Sequence, residues 1–218
     1  MIAGIELPQS PTLDFERPLW KDGFTRIAGI DEAGRGAWAG PVAAAVVILP
    51  YPERIEGSPD PSLSQSLCGV RDSKQMTPRA RESWAPRIKE VALAWGVGLA
   101  SADEIDALGI VPATRLAAMR AIESLSSSPD YLLTDYLVFP EIVLPQAALI
   151  KGDRRSLSIA AASVLAKTAR DALMCELDIK YPDYGFARHK GYGTRLHQDA
   201  IRRMGVCAVH RKSFAIQG

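Results

Sequence analysis

The sequence is poor in the residues that thiol and soft-metal chemistry require. Its three cysteines, Cys68, Cys175 and Cys207, lie far apart and form no Cys-x-x-Cys pair. That excludes a disulfide framework and a cysteine zinc site, and favours a reducing compartment. Only three histidines occur in 218 residues, so a hydrolase built on a histidine pair has little to draw on. The longest uncharged stretch, residues 36–52, has 17 residues and is interrupted by Pro41, Pro50 and Pro52, too short and too broken to span a bilayer. The first residues, MIAGIELPQSPTLDFE, carry acids and prolines where a secretory signal needs a basic start and an apolar core. No repeat, low-complexity tract or linker divides the chain. The expectation is a cytoplasmic protein with no membrane segment, a monomer, and one domain over residues 1–218.

What is present is an ordinary globular balance, 47% hydrophobic and 23% charged, which argues for a packed core. The net charge of +1 names no partner, but its distribution is uneven. Between Arg188 and Lys212 stand seven Lys or Arg and a single acid, Asp199, so the rest of the chain is net acidic. A basic part over residues 181–218 beside an acidic remainder suits a polyanion held near carboxylates. A solvated basic helix accounts for the same pattern equally well.

Residues 27–30 and 42–49 read as buried strands joined by a Gly-rich turn, and 91–100, 131–134 and 147–150 as three more. Helices are expected over 77–91, capped by Thr77 with Pro78 in its first turn, and over 101–108, with the Ser101–Glu104 capping pattern. Further helices are expected over 111–124, 157–177 and 194–204. Pro86 predicts a kink or an early stop in the 77–91 helix, and residues 53–66 have the composition of a loop. Strands followed by alternating strands and helices imply an α/β fold, a mixed sheet covered by helices on both faces.

Three of these strands run into acids: 27–30 into Asp31 and Glu32, 131–134 into Asp135, and 147–150 into Lys151-Gly152-Asp153. Ligands of open α/β sheets gather at the carboxyl ends of strands, so parallel neighbours would bring these acids together. Four carboxylates in one place need cations or protons. An oxygen-only donor set suits Mg2+ or Mn2+, and a pair of such ions supports phosphoryl displacement. Each acid also has an ordinary explanation. Asp31 and Glu32 could be a solvated strand end, Asp135 a turn residue, and Asp153 the cap of the following helix. Adjacent strand residues point to opposite faces, so Asp31 and Glu32 share one site only where the strand ends or bulges. The segment Gly34-Arg35-Gly36-Ala37-Trp38-Ala39 formally fits a dinucleotide-binding fingerprint. That motif must open a helix, however, and here Gly40-Pro41 and a β-branched run follow. Glycines that let backbone groups approach a ligand, with Arg35 near a phosphate, account for the segment better.

The stretches GIDEAGRGAWAGPVAAAVVIL, DSKQMTPRARE, IDALGIVPATRLAAMRAI, IKGDRRSLSIAAASVLAKTARD, YPDYGFARHKGYGTRLH and HRKSFA, in that order, resemble the successive motifs of type 2 ribonuclease H, ribonuclease HII. The likeness covers residues 27–215. It implies a ribonuclease H-like fold, with a five-stranded mixed sheet and a helical C-terminal extension. It also implies a Mg2+- or Mn2+-dependent endoribonuclease. Such an enzyme cleaves RNA–DNA hybrids and incises 5′ of single ribonucleotides in duplex DNA, leaving 3′-hydroxyl and 5′-phosphate ends. By the same resemblance Asp31, Glu32, Asp135 and Asp153 match the metal-site carboxylates. Gly34, Arg35 and Gly36 match the loop that reads the 2′-hydroxyl through backbone groups. Lys74 matches a phosphate-contacting lysine, and Tyr192 an aromatic that packs on the next sugar. Asp171 falls inside the long helix, where a structural role is expected, and His189, His197 and His210 are expected to be structural or to face phosphate. The chain departs from the pattern at Tyr136-Leu137, where Gly-Asn is common, and at Ala37-Trp38, where Pro-Leu is common. Its C-terminus, KSFAIQG, has no evident tail for a sliding clamp. The readings from other classes are a duplex-binding protein without chemistry and, more remotely, a dinucleotide-binding enzyme.

Overall fold

The computed structural model describes residues 7–51 and 61–215. In chain order the elements are α1 (Glu16–Lys21), β1 (Ile27–Ala33), β2 (Val42–Ile48), α2 (Pro61–Ser66), α3 (Pro78–Val91), β3 (Ala94–Ala100), α4 (Ala102–Leu108), α5 (Ile110–Glu123), β4 (Tyr131–Asp135), β5 (Gln146–Leu149), α6 (Leu157–Lys180), α7 (Phe186–His189) and α8 (Arg195–Met204). Short 3-10 turns occupy Ser73–Gln75 and Gly152–Arg154.

The five strands form one sheet in the order β3-β2-β1-β4-β5. The pairs β1–β2 and β2–β3 are antiparallel, and β1–β4 and β4–β5 are parallel. One face of the sheet packs on α6, α3 and α1, and the other on α5. β2 is the central strand of the antiparallel half and is buried along its whole length. Its run Val42-Ala43-Ala44-Ala45-Val46-Val47-Ile48 leaves room for helices on both sides. α6 lies close against β1: a Cβ at Gly29 would overlap the backbone of Ser158 and Ile159, and Ala160, Ala161 and Ala162 are fully buried against the sheet. The small residues of β1, β2 and α6 therefore set how near the helix approaches the strands. A third cluster, with Ala39, Met174, Tyr184, Phe186 and Ala200, joins α7 and α8 to the body.

Several boundaries differ from the sequence expectations. β1 does not stop at Ile30. It keeps its ladder to β2 through Asp31, Glu32 and Ala33, opposite Ala45, Ala44 and Ala43, while its ladder to β4 ends at Ile30 and Thr134. Pro86 does not end α3, which runs on to Val91. Pro86 and Glu82, whose carbonyl the proline leaves unpaired, are both on the exposed face. Residues 61–66, expected in a loop, form α2, drawn into a helical turn by burial of Leu63 and Leu67. The rest of that expected loop, residues 53–60, lies outside the described residues. β3 begins at Ala94, after α3 has ended, and α6 continues to Lys180.

Candidate active site

The sheet opens where β1 and β4 stop pairing. β1 connects onward to β2 on one side and β4 to β5 on the other, so this is the crevice in which open sheets bind ligands. Asp31 lies just past the last β1–β4 pair, and Asp135 is the last residue of β4. Asp135 Oδ1 accepts the Gly152 N–H at 2.7 Å, which ties the end of β4 to the 3-10 turn that carries Asp153. Tyr136, at φ 64°, and Lys151, at φ 56°, are both left-handed. They turn the chain away so that the two acids stay in the crevice. Asp153 does not cap α6. Ser156 does, its hydroxyl accepting the Ile159 N–H at 3.3 Å. Carboxylate oxygens of Asp31, Asp135 and Asp153 lie within 4.8 Å of one another.

Glu32 is outside that group of three. It alternates with Asp31 along β1 and emerges on the α5 face, against Ile30, Thr134 and Leu137. There it pairs with Arg35 at 3.2 Å. Its carboxylate still feels Asp135, which raises its pKa beyond the effect of burial, while Arg35 opposes the rise.

All four acids hold protons more tightly than free carboxylates. Burial is the leading cause for each, and mutual repulsion adds to it. Asp31 is raised well above its ordinary value by burial, then by Glu32 and Asp135. Asp153 is pushed up to about 6 by burial, then by Asp135 and Asp72. Lys74 faces this cluster: burial acts to lower its pKa, but Asp31, Asp153, Asp72 and Asp135 outweigh that and raise it.

Asp72 is a member of this neighbourhood that sequence reasoning missed. It is buried, accepts the Lys74 N–H at 2.9 Å and the Gln75 side-chain amide at 3.3 Å, and raises the pKa of Asp153. Its place two residues before Lys74, in Asp-Ser-Lys, was the available signal. The turn is fastened to α6: Ser163 Oγ accepts the Ser73 N–H at 3.2 Å and donates to Ser73 Oγ at 2.8 Å. Arg81 donates to the Ser73 and Met76 carbonyls at 2.9 and 2.7 Å. Asp171 holds Arg81 at 3.0 Å and Lys167 at 2.7 Å, the structural role expected of it.

Gly34, Arg35 and Gly36 follow β1 directly. Gly34 takes φ +94°, and a Cβ there would overlap the Arg170 side chain, so two constraints require glycine. Tyr192 is half-buried after α7, with Arg170 and Lys167 at 5.5 and 5.6 Å from its ring centre. Its carbonyl accepts from His197 Nδ1 at 3.1 Å. His197 Nε2 then meets His210 Nε2 at 3.0 Å, and His210 Nδ1 accepts the Cys207 N–H at 2.9 Å. The Tyr192 carbonyl places the His197 proton on Nδ1, and His210 Nδ1 faces both the amide and the carbonyl of Cys207, the carbonyl at 3.2 Å. His189 donates from Nε2 to the Tyr184 carbonyl at 2.8 Å and accepts the Gly191 N–H at Nδ1. All three rings are buried, which makes them structural.

This arrangement can be set beside known proteins. The Ribonuclease HII family profile matches residues 28–217. The chain belongs to the ribonuclease HII family. The Ribonuclease HII of Dehalococcoides mccartyi is 50% identical over 92% of this chain and 90% of its own length. That of a Thermus thermophilus strain is 51% identical over 92% and 91%. Among solved structures, the ribonuclease H2 of Pyrococcus horikoshii OT3 superposes with a TM-score of 0.69 at 25% identity, over 88% of this chain and 94% of that one. The ribonuclease HII of the Archaeoglobus fulgidus PCNA complex, at 24% identity and a TM-score of 0.70 over 88% and 96%, shares the fold. Ribonuclease HII enzymes are metal-dependent endoribonucleases acting on RNA–DNA hybrids, and this chain is an enzyme of that class. No helix among the described residues is long and apolar enough to cross a membrane.

Proposed function

We propose that this chain incises duplex DNA on the 5′ side of a single embedded ribonucleotide, as well as cutting RNA–DNA hybrids, and leaves 3′-hydroxyl and 5′-phosphate ends. The observation that carries the reading is the meeting of Asp31, Asp135 and Asp153 within 4.8 Å at the strand ends, beside Lys74. A binding protein has no need to crowd carboxylates where phosphates must come.

The donor set fits a hard divalent ion. Every ligand atom is a carboxylate oxygen, and no histidine or cysteine enters the group. The pKa values of these acids are raised first by burial and then by repulsion from neighbouring carboxylates, which Lys74 and Arg35 oppose without cancelling the rise. Asp31, Asp135 and Asp153 would hold Mg2+ or Mn2+, with Glu32 reaching in from the other face. Such ions, when bound as a pair, supply an activated water and neutralise the leaving oxygen.

The protein's own groups bind and orient the substrate. Lys74 contacts a phosphate, and the Gly34–Arg35–Gly36 loop recognises the 2′-hydroxyl, a group that both donates and accepts. Tyr192 packs on the neighbouring sugar. Residues 181–218, rich in Lys and Arg, hold the duplex backbone by contacts that weaken with salt. We read residues 1–218 as one catalytic domain with that segment as its substrate-binding part.

The deciding experiment is cleavage of an end-labelled DNA duplex with one ribonucleotide, in Mg2+, in Mn2+ and in chelator. Metal-dependent incision on the 5′ side, absent from all-DNA duplex, is expected. A folded protein that binds this duplex and cuts it with neither metal would overturn the proposal in favour of binding alone.

A further inference from the structure

Arg211 is fully buried, and no acid partners it among the described residues. Its guanidinium is satisfied by backbone alone: Nη2 donates to the Gly34 carbonyl at 2.7 Å, Nη1 to Arg35 at 2.8 Å and Nε to Gly40 at 3.0 Å. Burying a charge without a counter-charge is costly, and a second buried arginine, Arg170, stands nearby and repels it. Arg170 is likewise spent on carbonyls, those of Pro41, Lys190 and Ala39.

Anchoring the C-terminal segment does not explain Arg211. Asp106 already does that, accepting from the Lys212 and Ser213 amides at 2.8 and 2.9 Å and from the Ser213 hydroxyl at 2.6 Å. The Arg211 backbone N–H is also held, by the Trp38 carbonyl at 2.8 Å. What the guanidinium adds is the orientation of two successive peptides. Peptide units are planar and trans, so each carbonyl points opposite to the next N–H. With the carbonyls of Gly34 and Arg35 drawn inward to Arg211, the N–H groups of Arg35 and Gly36 must face outward, side by side. Neither has an acceptor among the described residues. Paired amides in a turn form a concave donor site for an oxygen. The space in front of them is open: Gly36 is exposed, and a Cβ built on it would meet nothing within 4 Å.

We propose that Arg211 is a positioning residue for substrate recognition: it presents the Arg35 and Gly36 amides to the ribonucleotide by holding the carbonyls behind them. The proposal rests on the function given above, since it takes the 2′-hydroxyl side of the nucleotide as the group presented to this loop. Lysine cannot replace the arginine, because one ammonium cannot span three carbonyls as a planar fork does.

In the test, Arg211→Lys is compared with the parent on a duplex with one ribonucleotide, and kcat and KM are read separately. A fall in kcat of about 10–100-fold is expected, the scale of a misplaced contact, with KM and binding to all-DNA duplex nearly unchanged. In a Gly36→Ala background, where the added methyl disturbs nothing in the chain, Arg211→Lys should cost little more. A folded Arg211→Lys variant with the parent's kcat would overturn the proposal, and so would full additivity with Gly36→Ala. A separate reading covers a variant that fails to fold. In 15N-labelled protein with Asp153→Asn to stop turnover, the Arg35 and Gly36 amide signals should move with ribonucleotide-containing duplex and stay still with all-DNA duplex. Signals that respond to neither duplex would overturn it too. Because these shifts need no turnover, an inactive parent would count against the proposed function and leave the loop assignment to the spectra.

Discussion

Asp153→Asn should stabilise the metal-free protein. Asp153 is 5% exposed, and its pKa is pushed up to about 6 by burial and by the charges of Asp135 and Asp72, from 3.8. The folded state therefore binds the proton more tightly than the unfolded chain does. Stability from this group is greatest below pH 3.8 and is lost as pH rises through about 6. At about 1.4 kcal/mol per pKa unit, the ionised side chain costs the apo protein roughly 3 kcal/mol at pH 8. Local relaxation and water entry reduce this, so about 1–3 kcal/mol is expected on removing the charge. For a chain of this size that corresponds to a rise in Tm of about 3–9 °C. The assay is thermal unfolding in chelator at pH 8 and pH 4, with variant and parent compared at each pH so that other titrations cancel. The gap should be present at pH 8 and shrink at pH 4. Added Mg2+ or Mn2+ should raise the parent's Tm more than the variant's. A variant less stable than the parent at pH 8 in chelator would refute the electrostatic reasoning, because the acids would then not be under repulsion.

Three further outcomes follow from the geometry. Tyr192→Ala should slow incision at a single embedded ribonucleotide by about 10-fold or more if its ring orders the sugar, and single-turnover rates on that duplex would check it. His197, held neutral with its pKa lowered to about 4 by burial and then by His189, makes a contribution that is present above the free-histidine value of about 6.5 and lost as pH falls toward 4. Unfolding of His197→Gln should therefore depend less on pH in that window than unfolding of the parent. Glu16 is fully buried, accepts from the Ser156 and Ser158 hydroxyls at 2.6 Å each and from the Ser158 N–H at 3.0 Å, and so ties α1 to the start of α6. Glu16→Ala, which strands those donors, should cost about 2–4 kcal/mol in denaturant unfolding.

How much of this was legible beforehand depends on the reach of each interaction. The acids were visible because strand ends leave a local pattern, an apolar run followed by Asp or Glu. The opposed faces of Asp31 and Glu32 could be raised only as a condition, since the outcome turned on whether β1 ended or continued; Ala43 to Ala45 across the ladder decided that it continues. Asp153 left two readings open because a cap and a crevice acid look alike in sequence. Ser156 took the cap. Pro86 does not end α3 because proline's cost depends on the face on which its missing bond lies, and here both Pro86 and Glu82 are exposed. Arg170 and Arg211 left no signal at all. Their partners are carbonyls more than 120 residues away for Pro41, Ala39, Gly40, Arg35 and Gly34, and a carbonyl carries no residue identity.

That difference separates chemistry from recognition in this fold. The carboxylates are positioned by neighbouring strands and by turns a few residues long, supported by α6. The loop after β1 is positioned instead by the far end of the chain: Arg211 behind Gly34 and Arg35, and the Gly191 carbonyl accepting the Trp38 and Ala39 amides at 2.8 and 3.3 Å. The same segment, through His197 and His210, holds the Tyr192 carbonyl. Both elements proposed for sugar recognition therefore lean on residues 189–214, and among the described residues their ion-pair link to the acids is the Arg35–Glu32 pair. Loosening the C-terminal part should blur the distinction between ribonucleotide and deoxynucleotide while leaving the carboxylates in place. Loss of a carboxylate should do the reverse. Among the described residues the Arg35–Glu32 pair is a direct side-chain link between the two halves, and it lies where the proposed 2′-hydroxyl reading would be coupled to cleavage.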